Sequence, residues 1–146
     1  VIIFILYIMK TEESIRQFIT NFNIDQTKIW MKHDNSAFNK HWSQYYKNDN
    51  VVMIRPSGNP ANKDTFNSMM MNSDIVFESG ELLSIESIDI FAQEIAAVVT
   101  YKRHDKFTYK GTPNNDISMF TATLEKINGD WKIIFGTRST GEKPSE

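Results

Sequence analysis

DISMFTATLEKINGDWKIIFGTRSTG, residues 116–141, consists of two runs of β-branched and aromatic residues on either side of Asn128-Gly129. Asn-Gly is the strongest short-range signal for a two-residue type I′ turn, because both turn positions take φ > 0, so the stretch predicts a β-hairpin. With a two-residue loop Ile127 lies opposite Asp130, and stepping outward one residue on each strand assigns every further pair. One face then carries Leu124, Ala122 and Phe120 beside Trp131, Ile133, Phe135 and Thr137. The other sets Glu125 opposite Lys132, Thr123 opposite Ile134, Thr121 opposite Gly136 and Met119 opposite Arg138. The first is the core face. The second is too apolar in its middle for open solvent and too polar for a deep core, which suits a surface half covered by another subunit.

Working back from the hairpin, 75–91 and 95–109 read as long strands, joined to it through the turn-rich GTPNN of 111–115. The apolar phase in 82–90 slips between Ile85 and Ile88, which predicts a bulge that curves the sheet. A helix is expected over 63–71 with Phe66, Met69 and Met70 inward, preceded by a short strand over 51–55 that Pro56-Ser57-Gly58-Asn59-Pro60 ends. Phe38, Trp42 and Tyr45 form one stripe of a helix over 37–47, with His41 beside it and Asp34-Asn35-Ser36 as its capping cluster. A shorter helical piece covers 26–32. From Thr11, which can cap, Ile15, Phe18, Ile19 and Phe22 recur at helical spacing. Helices first and an antiparallel meander after them define an α+β layer fold rather than an alternating α/β one.

The chain of 146 residues is long enough for one well-buried core, and 40% hydrophobic with 23% charged residues is ordinary for a soluble domain. We expect a single domain over 10–141, an apolar extension over 1–9 and a flexible tail over 142–146. The formal charge of -2 with scattered basic residues leaves no electrostatic footprint for nucleic acid or an anionic membrane. Having no cysteine, the chain offers no disulfide framework, thiolate zinc site or cysteine nucleophile, which fits a cytoplasmic protein. VIIFILYI at the start is too short to span a bilayer and lacks the positive flank and cleavage site of a signal peptide. It reads as sequence upstream of a natural start at Met9, or else as the end of a longer signal or anchor.

The spacing of Thr121, Asn128-Gly129, Trp131, Lys132 and Arg138-Ser139 resembles the closing hairpin of the nuclear transport factor 2-like superfamily, in its SnoaL-like branch and in the association domain of calmodulin-dependent kinases. The likeness covers most of residues 10 to 141. It implies a cone, a curved antiparallel sheet wrapped on N-terminal helices, with a pocket in its hollow. Those families commonly carry histidines four and six residues after the tryptophan, where this chain has Phe135 and Thr137. The stretch 46–70, YKNDNVVMIRPSGNPANKDTFNSMM, is similar to the first strand and following helix of ketosteroid isomerases and SnoaL-like cyclases. In the isomerases the residue before that proline is the aspartate base; here it is Arg55, always protonated and unable to take a proton. Nor does the first helix offer a phenol at Gln17 or Phe18, so isomerase chemistry of that kind is not expected.

By the same resemblance Arg55 points into the mouth of the cone, where its fork suits a carboxylate; the structural alternative ties it to an acid or to carbonyls of the 56–60 loop. His41 and Tyr45, four apart on one helix, could present an imidazole and a phenol to the hollow. Trp30, Tyr109, Phe135 and Thr137 complete the expected lining. His104 with Asp105 could form an acid/base pair or a solvated strand edge. His33, His41 and His104 make no metal motif by spacing, and no nucleotide or serine-hydrolase signature occurs, so neither metal nor cofactor is expected. Three classes of function follow: binding of a small organic ligand, anionic or carboxylate-bearing; a cyclase, isomerase or dehydratase using His41 or His104; and an association module with a vestigial pocket. A homodimer through the outer sheet face is expected in each.

Overall fold

The fold begins with a helix that nothing interrupts. No glycine or proline falls between residues 2 and 32, and extending a nucleated helix is cheap, so α1 runs through Ile2–Lys32. The break expected before Gln26 is therefore absent. Thr11 is not a cap but a buried residue inside the helix. The apolar stretch before it is helical and stands largely exposed, so the expected boundary at residue 9 marks where burial begins, not where structure begins. α1 ends at His33, whose φ of 53° is left-handed and whose ring donates to the carbonyl of Met70 at 2.9 Å. The computed structural model describes residues 1–141, 143 and 144; the rest of the expected flexible tail lies outside the described residues.

Asp34 caps α2 (Asn35–Tyr45) by accepting from the Ala37 amide at 3.1 Å, and Asn62 caps α3 (Lys63–Met71) through the Thr65 amide. The strands are β1 (Val52–Ile54), β2 (Pro60–Ala61), β3 (Ile75–Phe91), β4 (Ala96–Tyr109), β5 (Thr112–Ile127) and β6 (Asp130–Thr140). They form one sheet in the order β2-β1-β6-β5-β4-β3, antiparallel except for β1 beside β6. The β4–β5 and β5–β6 hairpins each turn on two residues with φ > 0, Lys110-Gly111 and Asn128-Gly129. Residues 112–115, expected to belong to the first turn, are thus the start of β5.

Register shifts in β3 at Phe77/Ser79, Leu82/Ser84 and Ile85/Ser87 curl the sheet without closing it. The hollow so formed is filled at its narrow end by Ile15, Ile19 and Phe22 of α1, Trp42 and Tyr45 of α2, and Val99, Tyr101, Leu124 and Ile133 of the sheet. No helix among the described residues is long and apolar enough to cross a membrane.

The closing hairpin departs from its regular register. Leu124 pairs with Ile133 but Thr123 pairs with Phe135, so Ile134 is the extra residue of a bulge. Beyond it every β6 residue changes face. Gly136 and Arg138 turn inward, while Phe135, 40% exposed, and Thr137 turn outward, contrary to the expected core face. A Cβ at Gly136 would run into the Met53 thioether, so glycine leaves room for that side chain where β1 lies beside β6.

Candidate functional site

Between helices and sheet, toward the wide end of the hollow, lies a cavity of about 430 Å³, within the range of small-molecule sites. Its walls are aromatic: Trp30 of α1, Phe38 and Trp42 of α2 and Phe66 of α3 face Phe77, Phe107, Tyr109 and Phe120 of the sheet. Arg55, Pro56 and Asn59 stand in the lining from the loop after β1.

A belt of charge crosses the sheet wall. The two-residue Lys110-Gly111 turn sets Asp105 directly opposite Asp116 on adjacent strands, a like-charge pair that would be unfavourable alone. Arg103, two residues from Asp105 on the same face, donates to its carboxylate at 2.7 Å, and both are almost wholly buried. The remaining guanidinium donors reach Asn23 Oδ1 at 2.6 Å and Thr27 Oγ1 at 3.0 Å on α1. A buried ion pair survives only when its hydrogen bonds are met, and here they are. Gly80 makes the room, since a Cβ there would lie 2.5 Å from both Arg103 Nη2 and Asp105 Oδ1. Asp116 in turn accepts from Lys143 and lies 3.6 Å from Arg138 Nη2.

Arg138 is the less satisfied cation. Its guanidinium lies 5.4 Å from the Phe107 ring centre and 6.0 Å from that of Phe120, and its buried Nη2 has no hydrogen-bond acceptor among the described residues. Burial and the neighbouring Arg103 draw its pKa down, while Asp105 and Asp116 oppose this. With Asp105 matched by Arg103 and Asp116 by Lys143, Arg138 presents positive charge to the cavity.

On the helical wall His41 lines the cavity, 7% exposed and stacked on Phe22, with its Nε2 buried and unpartnered. Burial lowers its pKa to about 4 although Asp25 pulls the other way, so the ring is neutral at pH 7. Gln26 Oε1, from α1, is likewise buried in the lining without a donor.

Of the other expected site residues, Trp30 and Tyr109 line the cavity, Trp30 deep and Tyr109 partly exposed. Arg55 lines it too; its Nε donates to the Asn59 carbonyl at 3.3 Å, and no carboxylate among the described residues pairs with it. Tyr45 stays out of the lining, for its hydroxyl donates to Asp25 and its ring packs on Phe18 and Phe22. Burial, and then that bond, push its phenol pKa up. Phe135 and Thr137 are excluded by the bulge. His104 stands on the outer face bonded to Asn115, whereas Asp105 faces in, because neighbours on a strand point to opposite sides. The His104–Asp105 pair therefore does not form.

Arg138, Gln26 and Asp116 are among the lining residues that escaped the sequence. Arg138 was hidden by the bulge, although the unbroken Ile134-Phe135 followed by Gly136 carries its signal. Gln26 lies four residues from both Phe22 and Trp30, a polar interruption of an apolar stripe. Asp116 needed the exact turn length.

A curled, unclosed six-stranded sheet packed on three helices around such a cavity is the nuclear transport factor 2-like fold. A nuclear transport factor 2-like protein of unknown function from Prochlorococcus sp. NATL2A is 27% identical over 91% of this chain and 94% of its own, with a TM-score of 0.69. A candidate calcium/calmodulin-dependent kinase II association domain from Exiguobacterium sibiricum 255-15 is 15% identical over 92% and 95%, TM-score 0.67. A candidate scytalone dehydratase from Novosphingobium aromaticivorans DSM 12444 is 13% identical over 93% and 87%, TM-score 0.66. No curated protein matches the chain by sequence. The chain belongs to the family of proteins of unknown function DUF3804, whose model matches residues 27–144.

Proposed function

We propose that the protein binds a small, largely apolar molecule bearing an anionic group, and that Arg138 receives the anion. The observation that carries this is the Arg138 guanidinium held among Phe107, Phe120 and Asp116, with Nη2 buried, 3.6 Å from Asp116 Oδ2 and without a hydrogen-bond acceptor among the described residues. A carboxylate there would accept a charge-assisted hydrogen bond, and Arg55 adds a second cation in the lining. The SnoaL-like spacing of the closing hairpin supports the same use of the hollow.

Binding is preferred to catalysis because the groups able to move a proton are already engaged or weak. Asp105 and Asp116 sit in ion pairs. His41, at about 4, lies far below the basicity that serves a general base near neutrality. Self-association through the outer sheet face belongs to the same proposal; it is supported by the outward turn of Phe135 and by the likeness to a candidate association domain.

Thermal melting with benzoate, phenylacetate and octanoate tests the anion site. Wild type should be stabilised by at least one of them, and Arg138→Gln should weaken that carboxylate about ten-fold to a hundred-fold, the worth of a hydrogen bond to a charged group. Arg55→Met should weaken it less, because part of the Arg55 fork is already committed to Asn59. Equal carboxylate response in wild type and Arg138→Gln, with unchanged ligand-free melting points, would retire the proposal.

A further inference from the structure

The helical wall carries a second set of unmet hydrogen bonds, made of neutral groups. α1 and α2 run side by side with Tyr45 bonded to Asp25, His41 stacked on Phe22 and Phe38 against Trp30. Gln26 follows Asp25 on α1, one turn on from Phe22, and Gln26 and His41 line the same cavity. Each leaves one buried polar atom without a partner among the described residues, Gln26 Oε1 and His41 Nε2. Buried polar atoms in native proteins are nearly always satisfied and an orphan is destabilising, so two orphans in one lining mark a place where a bound group belongs.

The chemistry of that group is constrained. Gln26 Oε1 only accepts, so the group must bring a donor. The neutral His41 ring offers Nε2 either as N–H or as a lone pair. A hydroxyl suits both, since its O–H can donate to one atom while its oxygen accepts from the other. An anion does not suit, for it would meet the Gln26 oxygen and the negative field of Asp25, which acts on His41. We propose that the ligand is two-headed: its anionic end lies at Arg138 on the sheet wall, and a neutral hydroxyl at its other end is held by Gln26 and His41 on the helical wall. The aromatic lining between them takes an apolar spacer. This rests on the anion-site reading of the cavity and adds the polarity and direction of the ligand.

The test is titration calorimetry of the purified full chain with ω-hydroxy fatty acids of increasing length, their unsubstituted parents and the matching ω-amino acids. At the length that spans the cavity the hydroxyl should tighten binding about ten-fold over the parent acid. Gln26→Met and His41→Phe should each abolish that preference, read as the ratio of hydroxy-acid to parent-acid affinity within the same variant. Parent acids that bind with no hydroxyl gain at any length would overturn the inference and leave the anion site standing. So would a hydroxyl gain that persists in both variants, or a larger gain from the amino group. If no acid of any kind binds, the anion site itself falls. Should a variant fail to fold, the length-dependent preference of the wild type decides alone.

Discussion

His41 shows how the environment of one residue assigns its role. On a helix beside Tyr45 it reads as a candidate acid/base, yet the two side chains part: Tyr45 turns to Asp25, and His41 is left between the Phe22 ring and the cavity. Burial then lowers its pKa from 6.5 to about 4, which has a measurable consequence. A folded-state pKa below the unfolded value means that protons favour the unfolded chain. The stability from holding the ring neutral is therefore complete above about pH 6.5 and is lost as pH falls toward about 4. By about pH 5 the wild type should have lost about 2 kcal/mol on this account, at 1.36 kcal/mol per unit. Urea unfolding from about pH 7 to about pH 5 checks it: His41→Phe should show a shallower pH dependence, and parallel curves would show that the ring is not held neutral.

At the scale of the element, the bulge in β6 decides what the cavity contains. Alternation along a regular β6 would put Phe135 and Thr137 into the hollow and Arg138 outside; one extra residue at Ile134 reverses all three. Because the chain contains no cysteine, paired cysteines report the register without background. Thr121→Cys with Thr137→Cys, directly opposed on the outer face, should cross-link under mild oxidation. Met119→Cys with Arg138→Cys, opposed in the unbulged ladder, should not, since those positions now face opposite sides. The reverse result on a reducing against non-reducing gel would restore the regular register and remove Arg138 from the site.

Across the whole molecule, the outer sheet face presents a strip whose composition asks for a partner. Met119, Thr121, Thr123 and Phe135 share it, with Phe135 40% exposed. A dimer that covers this strip should be split by Phe135→Lys, which places a charge in the contact and leaves the inner face untouched. Sedimentation velocity at micromolar concentration checks this, and a wild type that is purely monomeric would dismiss the proposed interface.

How much was legible follows the range of the forces involved. Local chemistry determined the Asn128-Gly129 turn, α3 over its full span, β3 over its full span and the α+β order, because turn dihedrals, caps and periodicity act over a few residues. α1 was misread at Thr11, where a possible cap was weighed above the absence of any helix breaker, and before Gln26, where a break was expected. The site was another matter. Trp30, His41, Arg55 and Tyr109 could be named as lining, but Arg138 depended on one unpaired residue in a ladder, and Gln26 on the level at which two helices meet. The ion pair of Arg103 and Asp105 required α1 to bring Asn23 and Thr27 across and Gly80 to stand aside. Those are contacts between residues far apart in the chain, made only when the sheet curls onto the helices, and there the tertiary structure alone decided which polar groups face one another and which are left to face a ligand.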